Sequence, residues 1–187
     1  MVGIKKKTTA VQILKAIALS GMVVVAMSSP YFGLGVLKGI KNYNDKKTWR
    51  KFYNSLHYLK RRGYVKINNH GDQLNVVLTK NGKKIFETVN IETMEIQHHG
   101  NWDKKWRIVI FDVPNTKSKN RIAFSQKLRN LGFIMVQKSV WAYPYECYKE
   151  IAILRKFYEI EKFVSYFETI KPEDEIIWRG KFNLLQT

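Results

Sequence analysis

Residues 106–144 read WRIVIFDVPNTKSKNRIAFSQKLRNLGFIMVQKSVWAYP, and this stretch decides the fold. WRIVIFDV, at 106–113, holds six Trp, Ile, Val or Phe in eight residues, and Pro114 cannot continue a ladder. Length and composition make it a strand. Side chains alternate along a strand, so Trp106, Ile108, Ile110 and Asp112 point one way and Arg107, Val109, Phe111 and Val113 the other. Both faces are apolar, and both must be covered. In a small α+β domain the helices cover one face of the sheet. The other face then needs another domain or a second copy of the chain.

Working outward, Asn115–Lys119 is a turn. Arg121–Asn130 is a helix with Phe124, Leu128 and Leu131 in a stripe, ended by Gly132. Phe133–Lys138 and Ser139–Pro144 are two strands joined by a bend or tight turn. Glu146–Tyr158 is a second helix, with Ile151, Leu154 and Phe157/Tyr158 on one side, and Phe163–Thr169 (FVSYFET) is a fourth strand. The order β-α-β-β-α-β is ferredoxin-like. The tail from Lys171 to Thr187 carries Ile176, Ile177, Trp178, Phe182 and Leu184, and is too apolar to hang free.

Charge is the loudest compositional signal. Thirty-three Lys+Arg against fifteen Asp+Glu give a net +18, which implies a polyanionic partner, nucleic acid or an anionic membrane surface. Between Lys38 and Lys84 the count is thirteen basic residues against two acidic. The single cysteine, Cys147, excludes an intrachain disulfide and a cysteine-based zinc cage, and fits a reducing cytoplasm.

At the start of the chain, Lys5-Lys6-Lys7 precedes a run from Ala16 to Leu37 without charge. A basic leader, an apolar stretch and Ala26-Met27-Ser28 resemble a signal peptide, and the run could also anchor in a membrane. Gln12 and Lys15 interrupt its first turns, and Ser20, Gly21, Ser28, Ser29 and Pro30 weaken the rest. The expectation is a buried helix, capped at Thr8 or Thr9 and running to about Met27. A short helix over Phe32–Ile40 and a polar loop over Lys41–Lys47 follow.

Thr48 can cap a helix over Trp49–Arg62, stopped by Gly63. Trp49, Phe52, Leu56 and Leu59 fall within about 80° at 100° per residue and form its buried stripe. Arg50, Asn54, His57 and Arg61 form the opposite stripe, flanked by Lys51, Tyr58 and Arg62. No acidic residue lies on this face, which is unusual for an ordinary solvated helix. A β-hairpin follows, with strands at Tyr64–Ile67 and Leu74–Leu78 and a turn over 68–72. Thr79-Lys80-Asn81-Gly82 then opens another basic helix, Lys83 to about Glu87. Helix, helix, basic helix, hairpin, helix is the order of a winged helix-turn-helix. Its basic helix would enter a major groove, and its hairpin would lie along phosphates or a minor groove. On that reading Lys46, Lys47, Lys51 and Arg62 contact phosphates, and Arg50, Asn54, His57 and Arg61 read bases. Tyr58, Lys66, Asn69 and His70 complete the DNA-binding set. His98-His99 lies in a linker over 89–101. It has no cysteine nearby and only scattered carboxylates, so it reads as a loop.

Three stretches of the second half carry a resemblance: WDKKWRIVIFDVP, KLRNLGFIMVQKSVWAYPYEC and FVSYFET. Over Trp102–Thr169 the chain resembles the Cas2-like central domain of the phenylacetate-catabolism repressor (PaaX-type) family. FYNSLHYLKRRGYV and LTKNGKKIF in the first half look similar to the same family. The resemblance implies a winged helix over 1–88 and a ferredoxin-like domain over 102–187 that pairs two chains. No counterpart of the further C-terminal domain of the family's full-length repressors is read, so the resemblance leaves an acyl-CoA response in doubt. The shared fold of the small CRISPR-associated subunits implies a rival. There an aspartate matching Asp112, one from each of two protomers, would hold Mg or Mn for phosphodiester cleavage. Against that, the neighbouring strands offer Gln137, Lys138 and Ser139 and no second acid, and Asp112 also reads as a cap on the turn that follows.

The expectation is therefore a cytoplasmic, homodimeric regulator, a repressor, that binds double-stranded DNA and needs no cofactor. Its rivals are a metal-dependent CRISPR-associated-type endonuclease or integration subunit using Asp112, and a membrane-tethered nucleic-acid-binding protein.

Overall fold

The computed structural model describes residues 9–26, 46–70, 73–97, 101–170 and 172–184. It divides into two units, Met1–Thr93 and Met94–Thr187.

In the first unit, Ala10, Ile13, Leu14 and Ile17 recur at helical spacing and bury one side of α1 (Thr9–Ser20), with Val11 beside them. The helix ends well before Met27. The Ser20 hydroxyl lies 2.8 Å from the Ala16 carbonyl and 2.7 Å from that of Met22. The chain turns at Gly21 into a strand, β1 (Met22–Ala26). Three consecutive valines, stiff at χ1, favour the pleat over the helix. The expected single helix is corrected to a helix and a strand. The stretch over Phe32–Ile40 lies outside the described residues, as do His98 and His99.

The next helix, α2 (Lys46–Arg61), buries Phe52, Leu56 and Leu59. It starts earlier than expected. Thr48 is inside the helix and not its cap, and Lys46 and Lys47 form its first turn instead of a loop. Lysine is a good helix former, and nothing between Lys46 and Thr48 stops propagation. At the far end Gly63 takes φ +69°. Tyr64 N–H donates to Leu59 O at 2.9 Å and Gly63 N–H to Lys60 O at 2.9 Å, a Schellman closure.

The hairpin is β2 (Val65–His70) and β3 (Gln73–Leu78). Pairing runs out to His70↔Gln73, which leaves two residues between paired positions, so the turn is tighter than the five expected. β1 joins the far side of β3, giving an antiparallel sheet in the order β1-β3-β2. Thr79 caps α3 (Lys80–Glu92), its hydroxyl accepting from Gly82 N–H at 2.9 Å. The helix runs on to bury Val89 and Ile91, so the stretch 89–101 expected as linker begins inside it. One core joins α1, α2, the sheet and α3. Among the described residues, helix, strand, helix, hairpin, helix with the strand order β1-β3-β2 is compatible with a winged helix.

In the second unit, β4 (Trp106–Phe111) stands between β6 (Val140–Tyr143) and β7 (Val164–Thr169), with β5 (Ile134–Gln137) beyond β6. All adjacent pairs are antiparallel. With α4 (Ser118–Asn130) and α5 (Tyr148–Phe157) in the two crossovers, this is the ferredoxin-like βαββαβ arrangement. On one face of β4, Phe111 meets Phe124 of α4 edge-on at 5.3 Å, and Val109 is buried.

On the other face, Trp106 is enclosed by Trp102 at 5.1 Å, Phe182 at 5.8 Å and Trp178 of α6 (Glu175–Lys181) at 5.3 Å. The apolar tail of the same chain covers this end of the sheet. The expectation that another domain or a second copy must cover the face is corrected there. Further along, Ile110, Ile134, Val136 and Val140 are half-buried, and Phe167 keeps 45% of its surface exposed.

Arg107 is buried near the start of β4, an interior strand of this sheet. Its Nη1 donates to Asp103 Oδ1 (2.7 Å), Pro144 O (2.8 Å) and Lys105 O (2.9 Å), and its Nη2 to Asp103 Oδ2 (2.6 Å). A fork bound to one carboxylate and two carbonyls fixes the Asp103 loop and the end of β6 to β4. The bond to Arg107 holds the Asp103 carboxyl below its ordinary value. The native state thus binds this proton less readily than the unfolded chain. The pair's stabilisation is present above the unfolded value and is lost as pH falls from there through the depressed folded one. Asp103→Asn should cost about 1–3 kcal/mol at pH 7. The gap between variant and wild type in urea unfolding should close as pH drops below about 4.

A second prediction follows from α3. A Cβ on Gly82 would stand 1.9 Å from the Tyr64 carbonyl oxygen, with backbone and no flexible side chain to yield. Gly82→Ala should destabilise the first unit by about 1–3 kcal/mol or more, read by thermal unfolding.

Candidate nucleic-acid interface

Because α2 buries Phe52, Leu56 and Leu59, its opposite side faces solvent. Arg50, Asn54, His57 and Arg61 are all exposed there, as the spacing requires. Lys47, Lys51 and Arg62 are exposed beside them. Tyr58 is half-buried and packs against the core, and the Arg62 guanidinium lies over its ring at 5.5 Å. Tyr58 therefore serves as a shelf that holds Arg62, more than as an exposed contact. Lys46 opens the helix, one turn before Arg50.

In the hairpin, Val65 is buried and Ile67 half-buried toward the core, while Lys66 and Asn68 alternate to the outer face. Both are exposed. Asn69 falls on the same side of the strand as Val65 and Ile67, although it is exposed near the tip. His70 pairs in register with Gln73. Sequence reading chose Asn69 and passed over Asn68. Strict alternation from Val65 was the signal that could have found it.

The two basic elements are fixed to one another. Thr79 Oγ1 lies 2.6 Å from Gly63 O, and Thr79 N–H donates to Tyr64 O at 3.0 Å. The end of α2 and the start of α3 therefore meet, and the hairpin leaves from the same point.

Asp112 sits elsewhere, in the second unit. It follows β4, its backbone N–H donating to Phe163 O at 3.0 Å, and its side chain is exposed. Gln137 and Lys138 are exposed as well. Among the described residues no three His, Cys, Asp or Glu side chains gather in a way that could hold a metal ion. Cys147 is buried, and burial pushes its thiol up to about 12, so it is no nucleophile at neutral pH.

Among the described residues no helix is long and apolar enough to cross a membrane. The described part of the uncharged run, residues 16–26, is shared between α1 and β1.

Residues 99–176 match the family model of the PaaX protein central Cas2-like domain. Over these residues the chain is similar to the PaaX-type Cas2-like domain. The match includes β4 to β7 and the first residues of α6. Trp178, Phe182 and Leu184, which close the Trp106 face of the Cas2-like domain, lie just beyond it. A search of curated proteins found no match.

If the α2 stripe is solvent-facing and free of structural duty, Arg50→Ala and His57→Ala should each change the unfolding free energy by less than about 0.5 kcal/mol. Phe52→Ala, on the opposite side, should cost about 3–5 kcal/mol. Urea unfolding of the three variants reads both.

Proposed function

We propose that this chain is a DNA-binding transcriptional regulator of the cytoplasm, which represses by occupying its operator as a homodimer. The observation that carries the reading is the acid-free face of α2. Arg50, Asn54, His57 and Arg61 are exposed in one stripe beside a hairpin that offers Lys66 and Asn68, in a chain that is also similar to the PaaX-type Cas2-like domain. Arginine suits the paired acceptors of guanine and asparagine the donor–acceptor edge of adenine, so this stripe is equipped to read bases. Lys47, Lys51 and Arg62 supply phosphate contacts.

The winged helix, residues 1–88 extended by the rest of α3, is the reader, and the Cas2-like domain over 102–187 pairs two copies. Since the tail already covers Trp106, the pairing surface is the part of that sheet face still open, around Ile110, Ile134, Val140 and Phe167. Light scattering of the full chain should give a dimer, and Phe167→Glu a monomer. A wild-type monomer at micromolar concentration ends this part of the proposal.

Base reading is tested by binding to a duplex chosen by in vitro selection and to random duplex across a salt series. Arg50→Ala and Arg61→Ala should narrow the difference between the two, each by about 1–3 kcal/mol. Lys51→Ala should weaken both alike and reduce the salt slope by about one unit. Equal weakening of both duplexes by all three variants would make α2 a basic surface and not a reader.

Asp112 is given a structural part, so Asp112→Asn should leave the affinity for DNA unchanged. Metal-dependent cleavage by the wild type, lost in Asp112→Asn, would put the nuclease in its place.

A further inference from the structure

The stripe on α2 does not account for all the positive charge of the first unit. Lys80, Lys83 and Lys84 stand at i, i+3 and i+4 on the first turns of α3, all exposed, with Asn81 exposed between them. At the other side of the stitched junction, Lys60 and Arg61 end α2 and Arg62 follows it, all exposed. The two groups are held together by backbone contacts: Thr79 against Gly63 and Tyr64, and Gly82 against the Tyr64 carbonyl. Six exposed cations thus lie on the two segments that meet at this junction. Glu87, a turn further along α3, is the first acidic residue that helix carries.

A cluster of this kind is unfavourable to the fold. Like charges repel, and three lysines at the N-terminal end of a helix oppose its dipole. Neither packing nor capping calls for them, because Thr79 already caps the helix. A polyanion that lies across the corner removes both penalties at once.

We infer that the junction of α2 and α3 is a second nucleic-acid contact, a phosphate-backbone site for Lys60, Lys80, Lys83 and Lys84, separate from the stripe that reads bases. The inference rests on the proposed binding of duplex DNA and adds the sequence-independent part of its affinity. Two features favour duplex over an anionic membrane. The corner joins the α2 stripe through Arg61, so one rod of phosphates can engage both. The large exposed apolar residues of the described first unit, Leu19 and Met22, belong to α1 and β1, and an amphipathic membrane anchor needs such residues beside its lysines.

The experiment uses the full chain with Lys80, Lys83 and Lys84 all replaced by alanine, a change that favours the helix. A control variant replaces the exposed Lys119, Lys156 and Lys162 of the second unit, which removes the same charge elsewhere. Binding to a random-sequence 30-base-pair duplex is measured across a salt series. Each phosphate contact contributes about 0.9 to the slope of log K against log salt, so the α3 variant should lose between about two and three units. The control should keep the wild-type slope and melting temperature, and the α3 variant should melt no lower than the wild type.

Equal loss of slope in both variants would mean general charge and overturn the site. An unchanged slope in the α3 variant, with the wild type binding duplex, overturns this inference and leaves the proposed function standing. A wild type that binds no duplex brings down both. Phosphatidylglycerol vesicles are the last arm. Release from vesicles by the α3 substitutions, with duplex binding intact, would assign the corner to a membrane instead.

Discussion

The first unit depends on one carbonyl. Tyr64 O accepts from Thr79 N–H at 3.0 Å, has the Thr79 hydroxyl at 3.3 Å, and is approached so closely by Gly82 that no side chain fits between. Three segments meet there: the Schellman end of α2, the first residue before β2 and the first turn of α3. Because the contact is backbone against backbone, it has little freedom to adjust. The angle at which α2 leaves the hairpin, and so the direction in which Arg50 to Arg61 face, is set at this point. Under the proposed function the glycine therefore bears on binding although it is not itself a contact residue.

The second unit answers a different constraint, the two apolar faces of β4. One is closed by α4 through Phe124, the other by Trp102, Trp178, Phe182 and Leu184. The second closure uses side chains from before and after the sheet, so the covering depends on sequence far from β4 in the chain. It also limits what is left for a second copy. A stable dimer commonly buries about 800 Å² on each partner. With the Trp106 end occupied, that area must come from Ile110, Ile134, Val140 and Phe167 together with their surroundings. Ile170, Ile176 and Ile177, exposed at 64%, 78% and 58%, are apolar neighbours in sequence to β7 and α6 and can extend it.

Much of this was legible before any coordinates. Alternation in WRIVIFDV, the glycine stops at 63 and 132 and the α2 stripe are local patterns that tertiary structure had no reason to override, and the elements they define are present. The failures share a cause. Met22-Val-Val-Val-Ala follows a helical pattern without a charged residue between, so only its pairing with β3 distinguishes strand from helix. Lys46 and Lys47 carry no pattern that separates a loop from a first turn. The tail was recognised as too apolar to hang free, but the face it covers is a long-range fact. In the candidate site, the stripe was readable at 100° per residue. The meeting of the end of α2 with the start of α3 was not, because it depends on a hairpin that returns the chain to its starting point.

The division of labour between these surfaces follows from magnitudes. Four base-reading side chains at about 1–3 kcal/mol each, even if all act, cover only a few base pairs. A single winged helix with such a stripe discriminates poorly against the many other sites of a genome. Adding lysines at the α2–α3 junction raises affinity for every sequence alike and leaves that ratio untouched. Selectivity must come from joining two stripes, since two half-sites read together multiply the discrimination while a fixed spacing rejects single matches. In the proposed regulator the basic corner brings the chain to DNA, the stripe chooses among sequences, and the Cas2-like domain makes the choice sharp enough to matter.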